Sequence, residues 1–196
     1  MSLFSKKTKI TIHAFTRLVA QCIIKANPIN CQLIEKSESL SSKEKKKIIS
    51  ELLYFRLVLL YFMLLFERRF GRKDYYESEL MDILPLGLCL AFEDNGTSKK
   101  NAQERAEISM DRVQHYRELL ESIDKDVVKG EEDVYFELVK RFVNDMFGVN
   151  EVELVERFND KRFATKHHEV LHFVSQAYHL DDNNFKNNLK EFKFIE

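Results

Sequence analysis

The chain has 196 residues, 44 % hydrophobic and 32 % charged; it can bury roughly 70 % of its unfolded surface, which excludes a disordered or polytopic membrane chain. Its 31 Lys and Arg balance 32 Asp and Glu, so it has no electrostatic footprint for wrapping nucleic acid, and DNA or RNA binding drops out of the leading readings. Cys22, Cys31 and Cys89 form no C-x-x-C pair and no disulfide framework, and the N-terminal stretch lacks the apolar run of a secretory signal, so cytoplasm is the expectation.

Five glycines and two prolines occur in the whole chain, and Gly71, Gly96, Gly130 and Gly148 fall where helical patterns stop. No long period-2 alternation bounded by turn residues is present. The expectation is therefore all-α: a single antiparallel helical bundle of about seven to eight helices around a buried central helix at about residues 42–70.

Residues 1–7 read as a loose tail. A first helix is expected over Lys9 to Ala26, with Ile12, Phe15, Val19, Cys22 and Ile23 on one stripe, ended by Pro28 and followed by a connector over 27–40. Ser41 and Glu44 then make a capping box. From Leu52 to Phe66 the sole charged residue is Arg56, so this helix is apolar all round and must be buried. It is long enough to span a bilayer, but Glu51 and Arg56 would each oppose insertion by roughly 2–3 kcal/mol. A bundle centre is preferred, and membrane association through 48–66 is the second alternative. Arg56 needs a carboxylate partner or a path to the surface, Glu51 being a possible neighbour. Arg68 and Arg69 suit the end of this helix, with Gly71 as its stop, and together with Arg72 and Lys73 they form a basic cluster.

Asp74 and Glu77 suggest the cap of a short helix, Tyr75 to about Leu84, which Pro85 kinks or ends, with a second buried segment beyond it. Asn95-Gly96 marks a turn and Thr97-Ser98 an N-cap. Lys99 to Val128 carries one stripe, Ala102, Ala106, Met110, Val113 and onward through Ile123 and Val127, which lies on the bundle surface or pairs with a second copy. Glu131, Glu132 and Asp133 fit a first helical turn, where the dipole favours carboxylates. Val134 to Phe147 shows a broad inward face, and Asn150 with Glu153 caps a short helix to about Phe158. A further helix is expected from Lys161 to Leu180, then a final short one capped by Asp181 and Asp182.

The sharpest motif is H-E-x-x-H at His168-Glu169-Val170-Leu171-His172. With Thr165 before it and Phe173 and Val174 after it, the match resembles the zincin peptidase pattern over about ten residues, with Lys166 a departure. That resemblance implies zinc on His168 and His172, with Glu169 as general base. The third ligand would be His179, seven residues on, or His115 or Glu191. Three-histidine helical-bundle thiol transferases are a second metal architecture into which His115 would fit. At 100° per residue, however, His168, His172 and His179 fall within about 40° of one another and opposite the helix's apolar side, which makes a solvated polar face. His167 alone falls on the apolar side.

The leading expectation is a non-enzymatic cytoplasmic interaction domain acting through a protein partner or as a homodimer along Lys99 to Val128, with no cofactor and an unknown small-molecule ligand. The competing expectation is a zinc-dependent hydrolase or thiol transferase using His168, His172 and His179 as ligands and Glu169 as base.

Overall fold

A computed structural model describes residues 7–67, 73–122 and 130–195. Its helices are α1 (Ile12–Lys36), α2 (Ser42–Phe66), α3 (Lys73–Asp94), α4 (Lys99–Glu121), α5 (Glu131–Phe147), α6 (Glu151–Arg157) and α7 (Lys161–Glu191). Two three-residue strands, β1 (Thr8–Ile10) and β2 (Phe192–Phe194), pair in parallel with Thr8 opposite Phe192. The class is all-α, as expected. The expected stop at Gly71, the basic cluster of Arg68, Arg69, Arg72 and Lys73, the caps Asp74 and Glu77, and the stripe positions Ile123 and Val127 fall outside the described residues and side chains.

The centre is α2. Its capping box closes as the sequence requires: Ser41 Oγ accepts from the Glu44 amide at 3.3 Å, and Glu44 Oε2 accepts from the Ser41 amide at 2.7 Å. Every residue from Phe55 to Leu64 is buried, and α1, α3, α4, α5 and α7 all pack against the helix. Phe55 stacks on Phe142 of α5 with ring centroids 4.2 Å apart and meets Tyr116 of α4 at 5.4 Å. Such aromatic pairs add to the area they bury. It is the one described helix long and apolar enough to cross a membrane, and 67 % of its apolar window is buried against its neighbours. The helix closes at Phe66 with Glu67 as its C-cap, earlier than the expected residue 70.

Three expectations fail, and two of the failures share a cause. Arg56 is 1 % exposed and donates through Nε and Nη2 to the two carboxylate oxygens of Asp181 on α7, at 2.7 and 2.6 Å. Its Nη1 donates to Asn27 Oδ1 at 3.2 Å, and Asn30, with its amide oxygen turned to face the guanidinium, accepts from Nη1 and Nη2 at 3.2 Å. Both asparagines lie on α1, one on each side of Pro28, so α1 runs through the proline instead of ending at Ala26, and Cys31 and Ile34 are buried beyond it. Asp181 likewise turns inward as the partner of Arg56 instead of capping a new helix, so α7 continues unbroken to Glu191. Glu51, the neighbour first considered for Arg56, instead pairs with Arg112 at 3.0 Å. The third failure is the helix end expected near Leu84: α3 runs through Pro85 to Asp94, and there Gly87 lets α1 approach so closely that a Cβ would sit 3.0 Å from Thr16 Cγ2.

The stripe of α4 is spent inside the chain. Ala102, Ala106, Ser109, Val113 and Tyr116 are buried, and α4 packs on α3 and α2. Ala102, Ala106, Val113 and Tyr116 of the expected seam are thus covered within the chain, and Met110 and Leu120 are half-buried.

Removing one member of the buried pair strands the other. Arg56→Ala is expected to destabilise the protein by about 3–5 kcal/mol, and Arg56→Met combined with Asp181→Leu to recover most of that loss. Urea denaturation of the three proteins checks it; a double variant no more stable than Arg56→Ala contradicts a pair whose main cost is desolvation.

Candidate functional site

The histidines of the motif sit on α7 where helical geometry put them. His168, His172 and His179 are exposed, and His167 is 4 % exposed. His167 Nε2 donates to Asn144 Oδ1 at 2.9 Å, and the ring lies among Phe147, Phe158 and Phe163. Burial lowers its pKa, and the neighbouring His168 adds to the shift, so this is a neutral core histidine.

The three exposed histidines do not meet. His172 accepts from Gln176 Nε2 at 2.9 Å, one turn further along. His179 lies about 10 Å beyond His172 along the helix axis, at 1.5 Å per residue. Glu169 is half-buried and accepts a hydrogen bond from Ser39 Oγ, which ties α7 to the α1–α2 connection. His115 stands on α4 beside Asp145, 3.9 Å away, and Glu191 is exposed at the far end of α7. Among the described residues no group of three His, Cys, Asp or Glu side chains converges as a metal site would require.

A cleft lies elsewhere on the described surface. A cleft of about 710 Å³ opens between the C-terminal end of α2, the N-terminal half of α5 and the middle of α7. Ligand pockets span roughly 300–1,000 Å³, so the space suits a small organic molecule. Its wall is aromatic: Phe66, Tyr135, Phe136, Tyr178 and Phe185 line it together with Met63. Tyr135 and Tyr178 lie with ring centroids 4.7 Å apart, Phe66 meets Tyr135 edge-on at 6.2 Å, and Phe136 is 64 % exposed at the rim.

The same cleft is acidic. Among the described residues, Glu67, Glu131, Glu132 and Asp182 line it together with Lys186, whose ammonium donates to Asp182 at 2.7 Å. That hydrogen bond raises the pKa of Lys186, and Glu131 and Glu132 raise it further. Tyr178 is pushed up by burial first and then by Asp182, Glu131 and Glu132. Carboxylates from two helices therefore act on one small region.

Tyr135 is 3 % exposed, and its hydroxyl is one of two buried side-chain polar atoms with no hydrogen-bond partner among the described residues. The other is the Thr16 hydroxyl, in the close packing of α1 on α3. Burial, and then the charge of Glu131 one turn back on α5, pushes the Tyr135 pKa up, and the Glu131 carboxylate also acts on the hydroxyl as an acceptor, short of full hydrogen-bond geometry. An orphaned buried hydroxyl costs about 1–3 kcal/mol, so its position on a cleft wall calls for an explanation.

In the sequence, Glu131 and Glu132 read as a helix first turn, and Tyr135 falls within the inward face of Val134 to Phe147. Each reading holds locally, and what it misses is their convergence. The available signal was the use of tyrosine at core positions, since a buried phenol brings a polar tip that needs a partner.

Comparison with protein-family models, curated proteins and solved structures finds no match to this chain.

Tag-free protein and the His168→Ala/His172→Ala variant are expected to hold the same zinc content, well below one ion per chain, by elemental analysis. Near-stoichiometric zinc that the variant loses would return the motif to a metal site.

Proposed function

We propose that this chain is a non-enzymatic cytoplasmic binding domain, and that it binds a small molecule in the cleft between α2, α5 and α7. The observation that carries this reading is the orphaned hydroxyl of Tyr135 on an aromatic wall. The cleft joins an aromatic wall to converging polar groups, two features that a ligand site combines. The three cysteines are free thiols, which supports a reducing compartment. The zinc-enzyme reading draws less support, because its histidines point to solvent and are spread along the helix. For a protein partner, the exposed Val152 and Val155 of α6 supply apolar surface, but neither carries the cleft's combination of cavity and unsatisfied donor.

Ser175 lines the cleft from α7, so Ser175→Trp fills it while keeping its aromatic and acidic side chains. In a thermal-shift screen of cationic, anionic and neutral amphiphiles, a ligand held at about 100 times its Kd is expected to raise the melting temperature by roughly 5–10 °C. The filled variant should lose that shift. Equal shifts in both proteins, or no shift with any compound, would contradict the cleft as the binding site.

A further inference from the structure

A smaller pocket, of about 190 Å³, lies between the first half of α2, the C-terminal half of α4 and the end of α5, against Phe55 and Phe142. That is below the roughly 300–1,000 Å³ of sites for drug-sized ligands, and a cavity of about 150 Å³ takes a six-atom ring, so its occupant is small. The charged groups here have partners, yet bonding capacity of both signs stays open. Arg112 donates from Nε to Glu51 Oε2 at 3.1 Å, and its Nη2 lies 3.0 Å from the same oxygen, which leaves guanidinium N–H groups for a further acceptor. Lys47 is committed to the Asp145 and Met146 carbonyls, at 2.9 and 2.8 Å. The Asp145 carboxylate is the open acceptor. His115 stands 3.9 Å from it, beyond hydrogen-bond reach, and no hydrogen bond enters it among the described residues. Burial raises its pKa, and His115, Arg141, Lys47 and Arg112 pull it down. Tyr116 is 4 % exposed, and its ring is spent on Phe55 and His115. Its hydroxyl makes no hydrogen bond among the described residues; after burial, Asp145, Arg112 and Glu51 act on it through space alone.

We propose that this pocket binds a small free amino acid as its zwitterion, with the carboxylate on the open N–H groups of Arg112 and the Tyr116 hydroxyl, and the ammonium on Asp145. Apart from His115, the lining is neutral overall, Lys47 and Arg112 standing against Glu51 and Asp145. An anion would satisfy Arg112 and be repelled by the two carboxylates; a cation would meet the reverse. A zwitterion fills both gaps and leaves the net charge as it was, whereas a peptide end carries only one of the two charges. The site is separate from the larger cleft: Lys47 to Phe55 lie toward the opposite end of α2 from Met63 and Phe66.

Isothermal titration with L-alanine, propanoate and ethylamine keeps the body nearly constant while presenting both charges, the carboxylate alone and the ammonium alone. Alanine is expected to bind at least about tenfold tighter than either analogue, since each of them forgoes a charge-assisted hydrogen bond. Asp145→Asn should erase the preference for alanine over propanoate. Tyr116→Phe gives a signature that a purely structural tyrosine would not: stability in urea should match wild type, because no hydrogen bond is lost, while alanine binds more weakly. Alanine binding should be unchanged in Ser175→Trp, which fills the other cleft. Propanoate or ethylamine binding as tightly as alanine would overturn the zwitterion class. Heat from none of the three, alanine binding that Asp145→Asn and Tyr116→Phe both leave intact, or binding lost in Ser175→Trp would overturn this pocket as the site.

Discussion

A guanidinium buried in the most apolar helix is the constraint on which this fold turns. The segment around Arg56 must be covered on every side, yet a lone charge there would be untenable. Asp181 neutralises it through two hydrogen bonds, and Asn27 and Asn30 take up the remaining donors. A buried pair of this kind contributes little net stability, because desolvation offsets the attraction. What it supplies is position: α1, α2 and α7 meet at one point in one register.

That register sets the cleft. Neighbouring residues on a helix are 100° apart, so fixing Asp181 toward α2 fixes the direction of everything else on α7. Ser175, Tyr178, Asp182, Phe185 and Lys186 then fall within roughly 40–160° of Asp181 around the helix, all on the side that faces α5 and the end of α2. The histidine stripe lies at the outer edge of the same sector, and only His179 reaches far enough along the axis to touch the cleft. The motif and the cleft are neighbours on one helix with separate surroundings.

Local features were legible in the sequence because local chemistry decides them. The capping boxes at Ser41 and Asn150, the left-handed turn at Gly148, the all-round burial of α2 and the opposed faces of His167 and His168 follow from spacing alone. Pro28 and Pro85 were misjudged because one lost backbone hydrogen bond is outweighed by packing that lies far away in sequence. Asp181 was misread for a related reason: beside Asp182 it has the look of an N-cap, and its partner is 125 residues distant. The cleft was hidden in the same way, since Glu67, Glu131, Tyr178 and Asp182 come together only once three helices are in place.

The central claim is that Tyr135 and Tyr178 face a ligand and are not merely core. The most direct measurement is a titration, with the amphiphile of largest thermal shift, of protein labelled with ¹³C at the tyrosine ζ carbon, read by NMR across all seven tyrosines. The account predicts that the Tyr135 and Tyr178 resonances move together and saturate while the other five stay in place. Shifts spread over all seven, or confined to tyrosines outside the cleft, would contradict it.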